Sequence, residues 1–74
     1  MEDEIEEKLN EIYNLYIDVK FTDSRLYDVY VKINSEKAFC IPFLYDARST
    51  FEANIANIRS KIDKEIVNLF RKEN

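Results

Sequence analysis

The chain has 74 residues, 46% of them hydrophobic and 14% aromatic, which suffices for one small folded domain and excludes a disordered class. It has one cysteine, no histidine and no glycine, which rules out an intrachain disulfide, a Cys/His zinc set and a glycine-rich phosphate loop, and removes the usual general base near neutral pH. The net charge of −4 is polarised: residues 1–18 hold seven acidic side chains against Lys8 alone, a net −6, whereas residues 19–74 hold ten basic and eight acidic side chains, a net +2.

The first expected element is a helix over residues 3–17. Ile5, Leu9, Ile12, Tyr13 and Tyr16 recur at helical spacing and form one apolar stripe. Asp3 followed by Glu6 fits a capping box, and the acidic first turn suits the positive end of the helix dipole. Glu4 and Lys8 stand at the spacing of a favourable i,i+4 pair. Glu4, Glu7 and Glu11 fall on the solvent side.

Residues 18–45 read as three strands. Val19 and Phe21 alternate with polar residues, and Thr22-Asp23-Ser24 supplies a turn. Tyr27, Val29, Val31 and Ile33 then alternate with Asp28, Tyr30 and Lys32. After a turn at Asn34-Ser35-Glu36-Lys37 come Phe39, Ile41 and Phe43. Both apolar sets are odd-numbered, so both face one core, which requires a connection of odd length or a bulge. The expected pairs are Ile33 with Phe39, Val31 with Ile41 and Val29 with Phe43. Pro42 cannot donate to a ladder, so its strand is expected at an edge. Without glycine, tight two-residue hairpins are disfavoured.

The last expected element is a helix over residues 47–71. Phe51, Ile55, Ile58, Ile62, Ile66 and Leu69 form a narrow stripe, Ser49-Thr50-Phe51-Glu52 fits a capping box, and Arg71 and Lys72 suit the negative end. Ile55, Ile62 and Leu69 also keep a heptad spacing that could serve a paired helix.

The fold class is therefore α+β: a single domain in the order α-β-β-β-α, with a three-stranded antiparallel meander and both helices on one face. The opposite sheet face is expected to carry Lys20, Thr22, Asp28, Tyr30, Lys32, Cys40 and Pro42. The order resembles that of double-stranded-RNA-binding domains in topology alone. The lysine-rich start of that family's second helix is replaced here by Arg48-Ser49-Thr50-Phe51-Glu52, and RNA binding does not follow.

No catalytic, metal or cofactor set emerges. Cys40 has no histidine partner and reads as a small packed residue. The expected function is non-catalytic: a protein-protein interaction module. In size and charge it is similar to the class of small acidic phage-encoded inhibitors of nucleic-acid enzymes, with no shared motif. Glu4, Glu7 and Glu11 are the expected contact for a partner with a basic surface. Tyr30, Lys32 and Cys40 are a second candidate interface, for a partner or for a second copy in a homodimer. Lys61, Lys64 and Arg71 could touch phosphates, but the negative overall charge makes nucleic acid the least favoured partner. No apolar run approaches the roughly 18 residues of a membrane helix, and the acidic start is unlike a secretory leader, so a cytoplasmic location is expected.

Overall fold

A computed structural model describes residues 1–71. The order is α1 (Glu2–Ile12), β1 (Tyr16–Asp23), β2 (Leu26–Lys32), β3 (Ala38–Leu44) and α2 (Phe51–Arg71). The strands form one antiparallel sheet in the order β1-β2-β3. Ile5 and Leu9 of α1 and Ile55, Ile58 and Ile62 of α2 are buried in one cluster with Ile17, Val19, Tyr27, Val29, Val31, Ile41 and Phe43. The buried strand residues are all odd-numbered, so both helices cover the same face, as their apolar stripes require.

Helix α1 is shorter than its stripe suggests. It stops at Ile12, and Tyr13 takes an extended conformation. Tyr16 is not a core residue but the first residue of β1, paired with Lys32 and 61% exposed. The alternation of Tyr16 and Asp18 with Ile17 and Val19 overrides the helical reading, because strand pairing buries Ile17 and Val19 together. The N-cap position is Met1, and Asp3 lies inside the helix without a capping bond. Glu6 turns toward β1 instead.

That turn closes an edge. The amide of Val19 donates to Oε1 of Glu6 at 2.8 Å, the amide of Phe21 donates to Oε2 of Glu2, and Nδ2 of Asn10 donates to the carbonyl of Ile17 at 3.1 Å. Residues 2, 6 and 10 on the helix meet residues 21, 19 and 17 on the strand. Four helical residues rise about 6 Å and two strand residues advance about 6.6 Å, so the two repeats stay in step. Three outward backbone groups of β1, the carbonyl of Ile17 and the amides of Val19 and Phe21, are thereby paired by side chains.

The register between β2 and β3 differs by two residues from the expected one. Val31 faces Phe39, Val29 faces Ile41 and Tyr27 faces Phe43. The parity is as expected, because a shift of two keeps every apolar side chain on the core face. The amides of Ile33 and Asn34 both donate to the carbonyl of Lys37, at 2.9 and 3.3 Å. Oδ1 of Asn34 accepts from the amides of Glu36 and Lys37, so the connection tightens around an Asn side chain in place of glycine.

The first hairpin also differs from expectation. Asp23 faces Leu26, leaving Ser24 and Arg25 as a two-residue loop, and Ser24 has a φ of 51°. The register shifts between Phe21 and Asp23, and Thr22 bonds to the carbonyl of Leu26 at 3.0 Å. Phe21 points to the core face but is 51% exposed; its ring lies edge-on to Tyr27 with centroids 5.4 Å apart.

Helix α2 starts at Phe51, with Thr50 as its cap: Oγ1 of Thr50 accepts from the amide of Ala53 at 3.0 Å. Residues 47–50, expected inside the helix, form a turn before it: Ser49 of the expected capping box donates to Asp46, whose carboxyl also accepts from the amide of Arg48. The bonds from Arg48 and Ser49 hold the Asp46 carboxyl below its ordinary pKa. Behind this turn lies Asn54, the one buried polar residue among those described. It accepts from the amide of Asp46 at 2.8 Å and donates to the carbonyls of Asp46 and Thr50 at 3.0 and 2.8 Å. The exit of β3 is thus tied to the first turn of α2. Ile55 and Ile62 are spent on this sheet, so the heptad spacing does not form a free seam. Lys72 lies outside the described residues.

Candidate protein-interaction surfaces

Each side of α1 has its own task. Ile5 and Leu9 fill the core, and Glu2, Glu6 and Asn10 hold β1. Glu4, Glu7 and Glu11 fall within about 60° of one another on the side opposite the core. All three are exposed, and they border a shallow depression shared with Lys8 and Phe51. The structure therefore brings the three predicted acidic residues together. Glu4 also lies 2.9 Å from the N-terminal amine, rather than forming the expected bond with Lys8, but this pair is solvent-exposed and weak. Glu2 and Glu6 stay outside this group, because they are engaged with the backbone of β1.

The second candidate lies on the sheet face that no helix covers. Tyr30 and Cys40 stand directly opposite each other on β2 and β3, and Lys32 is opposite Ala38 at the next position. Tyr30, Lys32 and Cys40 are all exposed, so this predicted trio is a real neighbourhood. Sequence reading missed its neighbours. Leu26 and Leu44 face each other at the far end of the same side, and Leu44 and Tyr16 are each 61% exposed. The outer face of β3 is apolar throughout: Ala38, Cys40, Pro42 and Leu44. The signal was present in the even-numbered positions of that strand, which carry no charge at all.

Cys40 is exposed, yet partial desolvation, followed by the nearby Asp28 carboxylate, pushes its thiol pKa up. The thiol thus stays protonated near neutral pH, the opposite of what a nucleophile needs. Among the described residues, no group of three or more Cys, Asp or Glu is placed to hold a metal ion, and no helix is long and apolar enough to cross a membrane.

The third set is only partly assembled. Lys61 and Lys64 are exposed and line a groove with Cys40, Ile41, Pro42 and Glu65, between α2 and β3. Arg71 is also exposed but stands seven residues beyond Lys64, about 10 Å further along the axis. Asp63 turns to the other side, where it accepts from the hydroxyl of Tyr13 at 2.5 Å. The basic residues therefore belong to the β3 side of α2, not to a continuous basic helix face.

Compared with known proteins, the chain matches no family model, no curated protein and no solved structure.

Proposed function

We propose that this chain is a non-catalytic protein-binding domain that presents Glu4, Glu7 and Glu11 to a basic surface of its partner. The reading fits the class of small acidic inhibitors and regulators of nucleic-acid-handling proteins, acting in the cytoplasm. One observation carries it: the carboxylates of α1 are divided between those that hold the fold and those that face solvent as a group. Glu2 and Glu6 explain themselves by bonds to β1, and Glu4, Glu7 and Glu11 do not. A compact negative stripe on a rigid helix steers and orients a positively charged partner. The protonated thiol of Cys40 and the lack of histidine support a role without covalent or acid-base chemistry.

The test compares capture of partners by the wild type and by the E4K/E7K/E11K variant, each checked for fold by circular dichroism. The reading expects basic partners to be captured by the wild type, released by salt and lost in the variant. Equal capture by both proteins excludes the acidic surface.

The uncovered sheet face supports a second reading, a homodimeric accessory module joined face to face around Tyr30 and Leu44. Light scattering over a wide concentration range decides it. A dimer that becomes a monomer with Tyr30→Lys supports this reading, and a wild-type monomer at every concentration removes it.

A further inference from the structure

The two edges of the sheet are treated differently. On β1, the outward carbonyl of Ile17 and the outward amides of Val19 and Phe21 are taken up by Asn10, Glu6 and Glu2. On β3, the odd-numbered residues pair with β2, a pattern continued beyond the strands by the bond from Tyr45 to the carbonyl of Arg25 at 2.8 Å. The backbone groups of Ala38, Cys40, Pro42 and Leu44 therefore point out of the sheet. Among the described residues, no side chain pairs with them. The groove beside this edge, on the helix side, is lined by Lys61, Lys64 and Glu65, two cations against one carboxylate.

We propose that the open edge of β3 is a docking site for an extended acidic segment of another protein, which adds a fourth strand to the sheet. Side chains on an added strand alternate between the faces in step with β3. Those beside Ala38, Cys40, Pro42 and Leu44 meet an apolar surface. Those beside Ile41 and Phe43 turn to the helix side, where Lys61 and Lys64 wait. The matching sequence alternates apolar and acidic residues. Main-chain bonds then supply affinity and the two faces supply selection.

The same features reject a second copy as occupant. Pro42 offers no N–H, so one ladder bond is lost when β3 pairs with a foreign strand. A symmetric pair of β3 strands loses one on each chain. It also brings Lys61 and Lys64 of both copies to the joint, where like charges oppose. Pro42 thus blunts self-pairing more than it blunts pairing with a partner. This inference is independent of the acidic-helix reading, since α1 lies along the opposite edge.

The test uses the full chain and a short peptide alternating glutamate with valine, followed by amide hydrogen exchange. The expected result is slowed exchange at Cys40 and Leu44 on adding peptide. Binding should weaken by at least about tenfold in K61E/K64E, whose changes lie on exposed positions, and vanish for a peptide N-methylated along its pairing edge. A peptide of the same composition with its glutamates in one block should not slow these amides. The proposal is overturned by unchanged exchange at saturating peptide, by an equal response to the block peptide, or by full binding in K61E/K64E. It is overturned equally if Cys40 and Leu44 become protected as protein concentration rises without peptide, which would make a second copy the occupant.

Discussion

Oε1 of Glu6 accepts the amide hydrogen of Val19 at 2.8 Å, so a helix side chain takes the place of a neighbouring strand. Without it, the amide of a buried edge residue would lack its partner. A hydrogen bond to a charged group contributes about 1.5–3 kcal/mol. This one is part-buried, and Glu6→Ala is expected to cost about 1–2 kcal/mol in urea unfolding. Glu6→Gln keeps an acceptor and should cost less. The amide of Val19 should exchange faster in the alanine variant, and that variant should also aggregate more readily, since it bares an edge.

Asn54 uses both of its polar atoms and sits at 1% exposure. Asn54→Ala removes three bonds and leaves the amide of Asp46 without its partner, while the carbonyls of Asp46 and Thr50 keep the amides of Ser49 and Asn54. The expected loss is about 2–4 kcal/mol, read from the denaturant midpoint with an unchanged slope. Asn54→Leu matches the volume but pairs none of these groups, and it should be no better than alanine. A domain of this size has little stability to lose, so both variants should be partly unfolded near body temperature.

Asn54 also marks where the sequence stops being legible. In the stripe of α2 it reads as one more polar helix residue. Nothing in its spacing says that the exit of β3 will fold back onto it. By contrast, the order of the elements, the shared core face of the odd-numbered strand residues and the edge position of Pro42 are local properties. Alternation and a missing N–H fix them residue by residue. The β2–β3 register was legible in parity and not in offset, because moving Val31 from Ile41 to Phe39 changes no face. The end of α1 was hidden by Tyr13 and Tyr16, which extend a helical stripe and a strand alternation equally well. Among the candidate residues, Glu4, Glu7 and Glu11 could be placed from the helical period alone. The meeting of Cys40 with Lys61 and Lys64 could not, since it depends on how α2 lies across the sheet.

Tyr13 joins α1 to α2 through its hydroxyl, which meets Asp63 and the carbonyl of Arg59. Desolvation, then the bond and the charge of Asp63, push its pKa up to about 12 from 10.0. The folded state therefore favours the neutral phenol. This contribution is complete below pH 10.0 and is lost as the pH rises from there toward 12. Titration of absorbance at 295 nm should show two late-ionising tyrosines, Tyr13 and the buried Tyr27, and Tyr13→Phe should remove one of them. Because the site is partly exposed, that variant should cost no more than about 1 kcal/mol near neutral pH. A tyrosine titration in Asp63→Asn that is unchanged from the wild type would contradict this assignment.

Ser24 is the one described residue with positive φ, at 51°, and it does so without the freedom of glycine. A left-handed conformation costs an L-residue with a Cβ about 1–2 kcal/mol. Ser24→Gly removes that cost but makes the unfolded chain more flexible, which returns part of the gain. The net expectation is stabilisation by about 0.5–1 kcal/mol, seen as a higher urea midpoint. Ser24→Asn should give a smaller gain, because asparagine tolerates this region better than serine. Ser24→Val should destabilise, since a β-branched side chain is worst at positive φ. The ranking Gly above Asn above Ser above Val tests the hairpin geometry directly. A flat ranking would mean that the Asp23–Leu26 turn does not hold Ser24 in the left-handed region.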